Sequence, residues 1–332
     1  MTETEHLQPR FTTDNLLSLQ THILAEEKAH PGATGDFSWL LSAISLAAKT
    51  IANKVRRARI ENVLGDHGDR NIHGEAQQKL DVISNEIILR CLGDRANVAV
   101  LASEEDDAPV VLRSRGAGGR YAVLFDPLDG SSNVDYSVGV GTIFSILQVD
   151  SGPVQSSYLQ PGVRQKAAGY ILYGSSVVFV LTTGNGVNMF VLDQSIGAFV
   201  RVASKIRMPE RSKIYSVNEA YRDSFPKGYR DYLDFAHANG YSSRYIGSMV
   251  ADVHRTLLKG GVFLYPPTGT HAGGKLRLMY EANPMAWIME QAGGRACAGR
   301  DRILDIAPTD LHERTSVVMG SAGEVDEVLR HL

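Results

Sequence analysis

Seven short β-rich runs follow one another between residues 97 and 203, and they constrain the fold more than any other feature of the sequence. They read NVAVLAS, YAVLFD, TIFSILQV, AAGYILYG, VVFVLTTG, VNMFVLD and AFVRVA. Several are joined by short glycine-containing turns, which favour antiparallel hairpins. The pattern therefore predicts a large mixed β-sheet in this part of the chain.

Apolar residues recur at helical spacing before this region, over residues 14–30, the segment TGDFSWLLSAISLAAKTIANKV and residues 75–92. Residues 57–74 lose that period and gain Gly, Asp and His. A loop of that length is uncommon unless it is functional or mobile. After the β-rich region, strands and helices alternate, which is typical of an α/β unit. We therefore predict an α/β protein with two packed halves, residues 1–204 and 205–332.

Composition and charge exclude several classes of protein. Hydrophobic residues make up 43% of the 332-residue chain and charged residues 21%, as in globular proteins with a sizeable core. The net charge of −3 argues against a nucleic-acid partner. No apolar run of about 18 residues predicts a membrane span. The polar N-terminus is unlike a signal peptide and the two cysteines show no pairing pattern, so we expect a cytoplasmic protein.

The second β-rich run ends in the acidic turn DPLDGSS. Asp126 and Asp129 lie three residues apart, and ligands of α/β folds collect at such strand ends. Their carboxylates and the Leu128 carbonyl are oxygen ligands of the kind that Mg²⁺ and Mn²⁺ prefer. The residues that follow offer N–H and hydroxyl groups to a phosphate: Gly130, Ser131 and Ser132. From this motif alone, a turn that only caps its own backbone is about as consistent.

Other acidic residues lie at the ends of predicted elements. Glu104 and Glu105 follow an apolar strand, Asp81 is flanked by apolar helix positions, and Glu281 lies in the apolar run LMYEANP. An isolated buried carboxylate is costly, and a shared metal ion is a common remedy. Each acid taken singly reads as a surface or capping residue, but together they indicate a site for two or three metal ions.

Several longer motifs resemble class I fructose-1,6-bisphosphatase: FDPLDGSSN, SEED, KLDVISNE, LQPG, AAGYILYGSS, SRYIGSMVADVHRTLLKGG and GKLRLMYEANPMA. The resemblance extends from about residue 14 to 330, whereas DPLDGS alone occurs across a wider lithium-sensitive phosphatase superfamily. It implies a layered α/β/α/β/α sandwich assembled as a homotetramer. It also implies Mg²⁺-assisted hydrolysis of D-fructose 1,6-bisphosphate to D-fructose 6-phosphate and inorganic phosphate, in gluconeogenesis or the Calvin cycle.

The resemblance further implies roles for matching residues. Two or three Mg²⁺ ions per subunit, replaceable by Mn²⁺, are expected on Glu104, Glu105, Asp126, Leu128, Asp129 and Glu281. Catalytic roles are expected for Asp81, Glu105 and Glu75, with Glu75 in place of a loop carboxylate that is often Asp. Residues 57–74 match a mobile loop that closes over the site. Substrate binding is expected at Asp129, Gly130, Ser131, Ser132, Asn218, Tyr221, Arg244, Tyr245, Tyr265, Lys275 and Arg277, with Arg244 reaching the 6-phosphate in a neighbouring subunit.

A candidate AMP site is implied at the start of the second helix and on a nearby strand. Its residues are Thr34, Gly35, Asp36, Ser38, Arg120 and Tyr121. A helix N-terminus suits a phosphate. However, Gln148 stands where the family is expected to have an arginine, so we expect inhibition by AMP to be weak or absent.

Two alternative functions remain open at this stage. One is sedoheptulose-1,7-bisphosphatase activity, or activity on both sugars. The two substrates differ by one hydroxymethylene group, and an enzyme discriminates only weakly on so small a difference. A sensor that binds sugar phosphates without turnover belongs to another class. The retained acids Asp81, Glu105 and Glu281 argue against a sensor, because binding alone does not need a water-activating pair.

Overall fold

The computed structural model describes residues 17–29, 35–70, 76–150, 152–153 and 157–332. Cys91 and Cys297 are free thiols. Within the described ranges, none of the helices has the length and apolar character needed to span a membrane.

The α-helices are α1 (Leu19–Ala29), α2 (Asp36–Arg57), α3 (Lys79–Gly93), α4 (Lys227–Ala238), α5 (Met249–Lys259), α6 (Asn283–Gln291) and α7 (Ala322–His331).

The β-rich region forms an eight-stranded sheet, and a small antiparallel pair precedes it. That pair is β1 (Asp66–Arg70) and β2 (Ala76–Gln78). The large sheet contains β3 (Val98–Ser103), β4 (Val110–Val111), β5 (Tyr121–Asp129), β6 (Val140–Gln148), β7 (Gln165–Tyr173), β8 (Val177–Thr182), β9 (Val187–Asp193) and β10 (Ala198–Ala203). Its spatial order is β10-β9-β8-β7-β6-β5-β3-β4, and β3 and β5 run parallel while the other neighbours are antiparallel. The prediction of a mixed sheet with antiparallel hairpins is confirmed.

A second, six-stranded sheet lies in the C-terminal part of the chain. The strands from there on are β11 (Ile214–Ser216), β12 (Ser242–Ser243), β13 (Val262–Tyr265), β14 (Leu276–Arg277), β15 (Arg295–Ala298), β16 (Asp301–Arg302), β17 (Arg314–Thr315) and β18 (Val317–Gly320). The sheet order is β12-β11-β13-β18-β15-β16, and β14 pairs separately with β17.

Helices and sheets alternate in five layers. Helices α1, α2 and α3 pack on one face of the eight-stranded sheet through a continuous apolar core. Helices α5 and α6 lie between the two sheets, and α4 and α7 cover the outer face of the second sheet. Strands β3 and β5 are buried along nearly their whole length, which explains why they read as continuous apolar runs. The predicted α/β/α/β/α sandwich is confirmed.

The segment between α2 and α3 differs from the prediction in two respects. Residues 57–74 were expected to form a loop throughout, but β1 lies within them and pairs with β2. The third helix was expected from residue 75 and begins instead at Lys79. Its start is set by a reciprocal cap, in which the Gln78 side chain accepts a backbone N–H of the first turn and Asp81 accepts the Gln78 N–H. Glu75 lies outside the described residues.

Candidate active site

The acidic turn at the end of β5 is held by its own backbone and by the neighbouring strand. The register with β6 shifts between Asp126 and Asp129, so the ladder is irregular where the two acids lie. The Leu128 N–H donates to Asp126 Oδ1 over 2.9 Å, and Thr142 Oγ1 on β6 donates to the Pro127 carbonyl over 2.9 Å. These bonds fix the turn and the Asp126 carboxylate, and both acids are buried at the carboxyl end of β5.

A third buried acid approaches this turn from the C-terminal half. Glu281 lies in a π-helical turn, Leu278–Ala282, directly before α6, and such turns are frequent at functional sites. The backbone N–H of Arg277 donates to Glu281 Oε2 over 2.6 Å. One carboxylate oxygen from each of Asp126, Asp129 and Glu281 lies within 4.8 Å of the others. The acidic turn and the π-helical turn therefore bring three of the acids expected as metal ligands into one cluster.

Burial and mutual repulsion make this cluster costly as three negative charges. Burial, together with the charges of Glu104 and Asp129, raises the pKa of Asp126 well above its ordinary value. Burial and the Glu281 charge raise the pKa of Asp129 to about 7, although the Val250 N–H and the Ser248 hydroxyl donate to it. A bound cation removes this cost, and an all-oxygen donor set suits ions of the Mg²⁺ and Mn²⁺ type. The residues present therefore fit a divalent metal ion.

Glu104 and Glu105 follow β3 and reach the same site from the neighbouring strand. The Glu104 N–H donates to the Phe125 carbonyl over 3.0 Å, which keeps the two strand ends aligned. Glu104 Oε1 lies 2.8 Å from the guanidinium of Arg277, a side chain only 3% exposed. Gln77 Nε2 donates to Glu105 Oε2 over 2.7 Å. Arg277, expected as a substrate-binding residue, thus places a buried positive charge beside the acids.

Asp81 reaches the site from the first turn of α3. Its Oδ2 accepts the Gln78 N–H over 2.9 Å and the Ser131 hydroxyl over 3.0 Å, so it is linked directly to the turn that follows Asp129. Burial raises the pKa of Asp81 to about 7, despite these two hydrogen bonds, which lower it. A carboxyl group that exchanges its proton near neutral pH is suited to general base catalysis.

A cavity of about 550 Å³ connects these groups. Its lining includes these residues expected at the site: Asp81, Glu104, Glu105, Asp126, Leu128, Asp129, Gly130, Ser131, Ser132, Tyr245, Tyr265, Lys275, Arg277 and Glu281. It also includes residues that sequence reasoning did not single out: Gln78, Gly247, Met249, Asp252, Phe263 and Leu276. Three of the latter, Gly247, Met249 and Asp252, lie within the motif SRYIGSMVADVHR, where none of them gave a signal of its own.

Three expected substrate residues lie beyond this lining among the described residues. Asn218 hydrogen-bonds the Tyr245 side chain and also accepts the Ala220 N–H over 3.1 Å. Tyr221 is 58% exposed. Arg244 is exposed, and its guanidinium donates to the Ser243 carbonyl over 2.7 Å. Asn218 therefore adjoins the cavity through Tyr245, whereas Arg244 belongs to the surface.

The candidate AMP residues come together at the start of α2. Gly35 at the helix N-cap has a φ of 78°, Asp36 lies 3.2 Å from the guanidinium of Arg120, and Tyr121 stands opposite Gln148 in the β5–β6 register. The hydroxyl of Ser38 donates to Glu27 on α1. Arg120 therefore already has an acidic partner, and Thr34 lies outside the described residues.

Known proteins with similar sequences and structures are phosphatases of one family. The model of the fructose-1-6-bisphosphatase N-terminal domain matches residues 17–204, and that of the C-terminal domain matches residues 208–332. Fructose-1,6-bisphosphatase class 1 of Chlorobium chlorochromatii is 49% identical over 94% of this chain and 96% of its own length, and that of Persephonella marina is 50% identical over 95% and 98%. The crystal structure of Leishmania major fructose-1,6-bisphosphatase in holo form superposes with a TM-score of 0.90 at 41% identity, covering 95% of this chain and 98% of the other. The chain belongs to the class 1 fructose-1,6-bisphosphatase family.

Proposed function

We propose that this protein hydrolyses the 1-phosphate ester of D-fructose 1,6-bisphosphate to give D-fructose 6-phosphate and inorganic phosphate. The observation that carries the proposal is the cavity that joins a buried acid cluster and a Gly-Ser-Ser turn to the side chains of Tyr245, Tyr265 and Lys275. Relatives of that name are about half identical along nearly the whole chain.

The acid cluster is proposed to hold two or three Mg²⁺ ions, with Mn²⁺ as a substitute. Asp126, Asp129 and Glu281 are the central ligands, and Glu104, Glu105 and the Leu128 carbonyl complete the set. When bound, the ions supply Lewis-acid neutralisation of charge on the phosphate oxygens.

Asp81 and Glu105 are proposed to take up the proton of the attacking water. Within the part of the chain that the structure describes, both hydrogen bonds to Asp81, from Gln78 and Ser131, end on Oδ2, and Oδ1 is proposed to take this role. Glu105 is oriented by Gln77 on β2. Because β2 directly follows Glu75, closure of the loop over residues 57–74 is proposed to bring Glu75 to the same region.

The turn after Asp129 is proposed to bind the 1-phosphate through its N–H and hydroxyl groups. Gly130 has a φ of 74°, and a Cβ atom there would lie 2.9 Å from Ser248 Oγ, so only glycine fits. Backbone N–H groups that converge in such a turn favour an anion. The buried guanidinium of Arg277 adds a positive charge close by.

The opposite end of the cavity is proposed to bind the sugar and the 6-phosphate. Tyr245, Tyr265 and Lys275 line it, and Asn218 and Tyr221 extend it. Arg244 is exposed on one chain, which suits a contact made across subunits of a homotetramer. Binding energy from this remote phosphate positions the 1-phosphate for attack.

The test is product identification. Purified protein is incubated with fructose 1,6-bisphosphate and Mg²⁺, and the products are resolved by ³¹P NMR. Fructose 6-phosphate and inorganic phosphate in equal amounts are expected. Release of the 6-phosphate, or binding without turnover, contradicts the proposal. We also propose that the enzyme acts in cytoplasmic carbohydrate metabolism.

A further inference from the structure

Asp252 is a buried carboxylate that the proposed mechanism does not use. It lies on α5 and is 1% exposed. The helix around it packs in the apolar core between the two sheets, through residues that include Met249, Val253 and Leu257. An ionisable group in such a place is retained at a cost unless it is fully hydrogen-bonded. The hydrogen-bond partners of Asp252 therefore indicate its structural role.

Those partners precede the helix. Oδ1 of Asp252 accepts the Ile246 N–H over 2.9 Å and the Ser216 hydroxyl on β11 over 2.8 Å. Oδ2 accepts the Gly247 N–H over 3.0 Å. Asp252 is the fourth residue of α5, so it does not occupy the N-cap position; it reaches back past the helix start to the segment before it. The carboxylate thus fixes the backbone of that segment.

The segment 244–248, here called the recognition segment, borders the cavity. Tyr245 and Gly247 line the cavity. The Gly247 carbonyl accepts Asn133 Nδ2 over 2.9 Å, and Gly247 has a φ of 87°, which only glycine adopts readily. The recognition segment is therefore held from both sides, by Asp252 through its N–H groups and by Asn133 through a carbonyl.

The phosphate end of the cavity is connected differently. Val250 N–H, at the start of α5, donates to Asp129 Oδ2 over 2.8 Å. The helix itself is held there by the backbone bond from the Asp252 N–H to the Ser248 carbonyl, at 2.9 Å. A change confined to the Asp252 carboxyl group leaves both of these backbone donors in place. The recognition segment reaches the phosphate end through the Ser248 hydroxyl, which donates to Asp129 Oδ2 over a longer 3.3 Å. Because the shorter contact to Asp129 comes from Val250, outside the segment, the sugar end of the site depends on the Asp252 carboxylate more than the phosphate end does.

We propose that Asp252 is a positioning residue for sugar recognition, whose carboxylate fixes the recognition segment so that Tyr245 faces the distal half of the cavity. The inference rests on the proposed function, because it assigns that half to the sugar and its 6-phosphate. Asp252 borders the cavity, and its carboxylate acts through the hydrogen bonds that it accepts from the recognition segment.

The test compares Asp252→Asn with wild type, and Thr256→Val is the matched control. Thr256 is equally buried on α5 and donates to the Asp252 main-chain carbonyl over 2.9 Å, so its loss reports on general damage to this helix. Inhibition by fructose 6-phosphate measures the sugar end. Titration of inorganic phosphate into enzyme already saturated with fructose 6-phosphate and Mg²⁺ measures the 1-phosphate end, because the distal phosphate site is then filled. In Asp252→Asn we expect KM and the fructose 6-phosphate inhibition constant to rise about tenfold, with the phosphate constant within about twofold of wild type. In the control all three are expected to stay within about twofold.

Equal increases in the fructose 6-phosphate inhibition constant and in the phosphate dissociation constant, or no increase in either, overturn the inference. If Asp252→Asn does not fold, as a thermal melt would show, Ser216→Ala replaces it. That variant removes one donor to the carboxylate without changing a cavity residue, and the same selective rise, about threefold, is expected; a wild-type ratio of the two constants contradicts the inference. Failure of the proposed function is recognised separately, because wild type then releases no phosphate from fructose 1,6-bisphosphate.

Discussion

Replacement of Asp81 by Asn separates the proposed catalytic role from a structural one. Both observed hydrogen bonds to Asp81, from the Gln78 N–H and the Ser131 hydroxyl, end on Oδ2. An asparagine carbonyl oxygen at that position accepts both, so the start of α3 and the phosphate turn keep their geometry. Only the ionisable group and its proton-accepting ability are lost.

The magnitude follows from the pKa of Asp81, which burial raises from 3.8 to about 7. A carboxyl group with a raised folded pKa stabilises the fold at low pH, and that contribution is lost as pH rises to 7. The difference between the ordinary and the raised pKa of Asp81 corresponds to at most about 4 kcal/mol of unfolding free energy, since a pKa unit is about 1.4 kcal/mol. In metal-free protein, Asp81→Asn should therefore raise the free energy of unfolding at pH 8 by up to about 4 kcal/mol and leave it nearly unchanged at pH 3.

Asp81→Asn should lower the activity, although it raises the stability at pH 8. A base must be ionised to accept a proton, so the wild-type rate should rise with pH through the pKa of Asp81. In Asp81→Asn, kcat should fall at least about 10²-fold, while KM changes little, because the lost interaction belongs to the transition state. Urea denaturation at both pH values and steady-state phosphate release measure the two effects. A variant with normal kcat refutes the catalytic role, and a variant that is destabilised at pH 8 refutes the argument from burial.

Three further predictions concern the metal, the nucleotide and the subunit contact. Exhaustive chelation should abolish activity, Mg²⁺ or Mn²⁺ should restore it, and Asp126→Asn should lose nearly all of it; turnover in chelator contradicts this. AMP should inhibit weakly or not at all, and Gln148→Arg should strengthen binding by about one to two decades, as one charge-assisted hydrogen bond allows; tight inhibition of wild type in an AMP titration refutes this. Light scattering of wild type should give the mass of a homotetramer. Arg244→Ala should raise KM about tenfold or more, with kcat less affected. A monomeric wild type, together with an unchanged KM in Arg244→Ala, rules out the contact across subunits.

The layered fold was predictable because its central strands are buried on both faces. Such strands read as continuous apolar runs, and the acidic turn that interrupts the run at Asp126 marks the sheet edge where the cluster lies. Glu281 was identifiable for the same reason, since a carboxylate inside an apolar run needs a compensating charge.

Other features depend on backbone donors that no local pattern reveals. The start of α3 was placed too early because the reciprocal cap between Gln78 and Asp81 competes with the helical period of the preceding residues. The strand β1 was missed because its sequence, DHGDR, has no apolar alternation; it pairs with the short strand β2. Asp252 gave no signal either, because its partners Ile246 and Gly247 contribute only their main-chain N–H groups.

The most direct test of the account is a comparison of kcat/KM for four substrates with and without Mg²⁺: fructose 1,6-bisphosphate, sedoheptulose 1,7-bisphosphate, fructose 1-phosphate and an inositol monophosphate. Fructose 1,6-bisphosphate should be the best substrate, and only with the metal. Fructose 1-phosphate should be at least about tenfold poorer, because it lacks the remote phosphate that Lys275 and the tyrosines are proposed to bind. Equal rates for fructose 1-phosphate and the bisphosphate, or a preference for the inositol phosphate, would contradict the account.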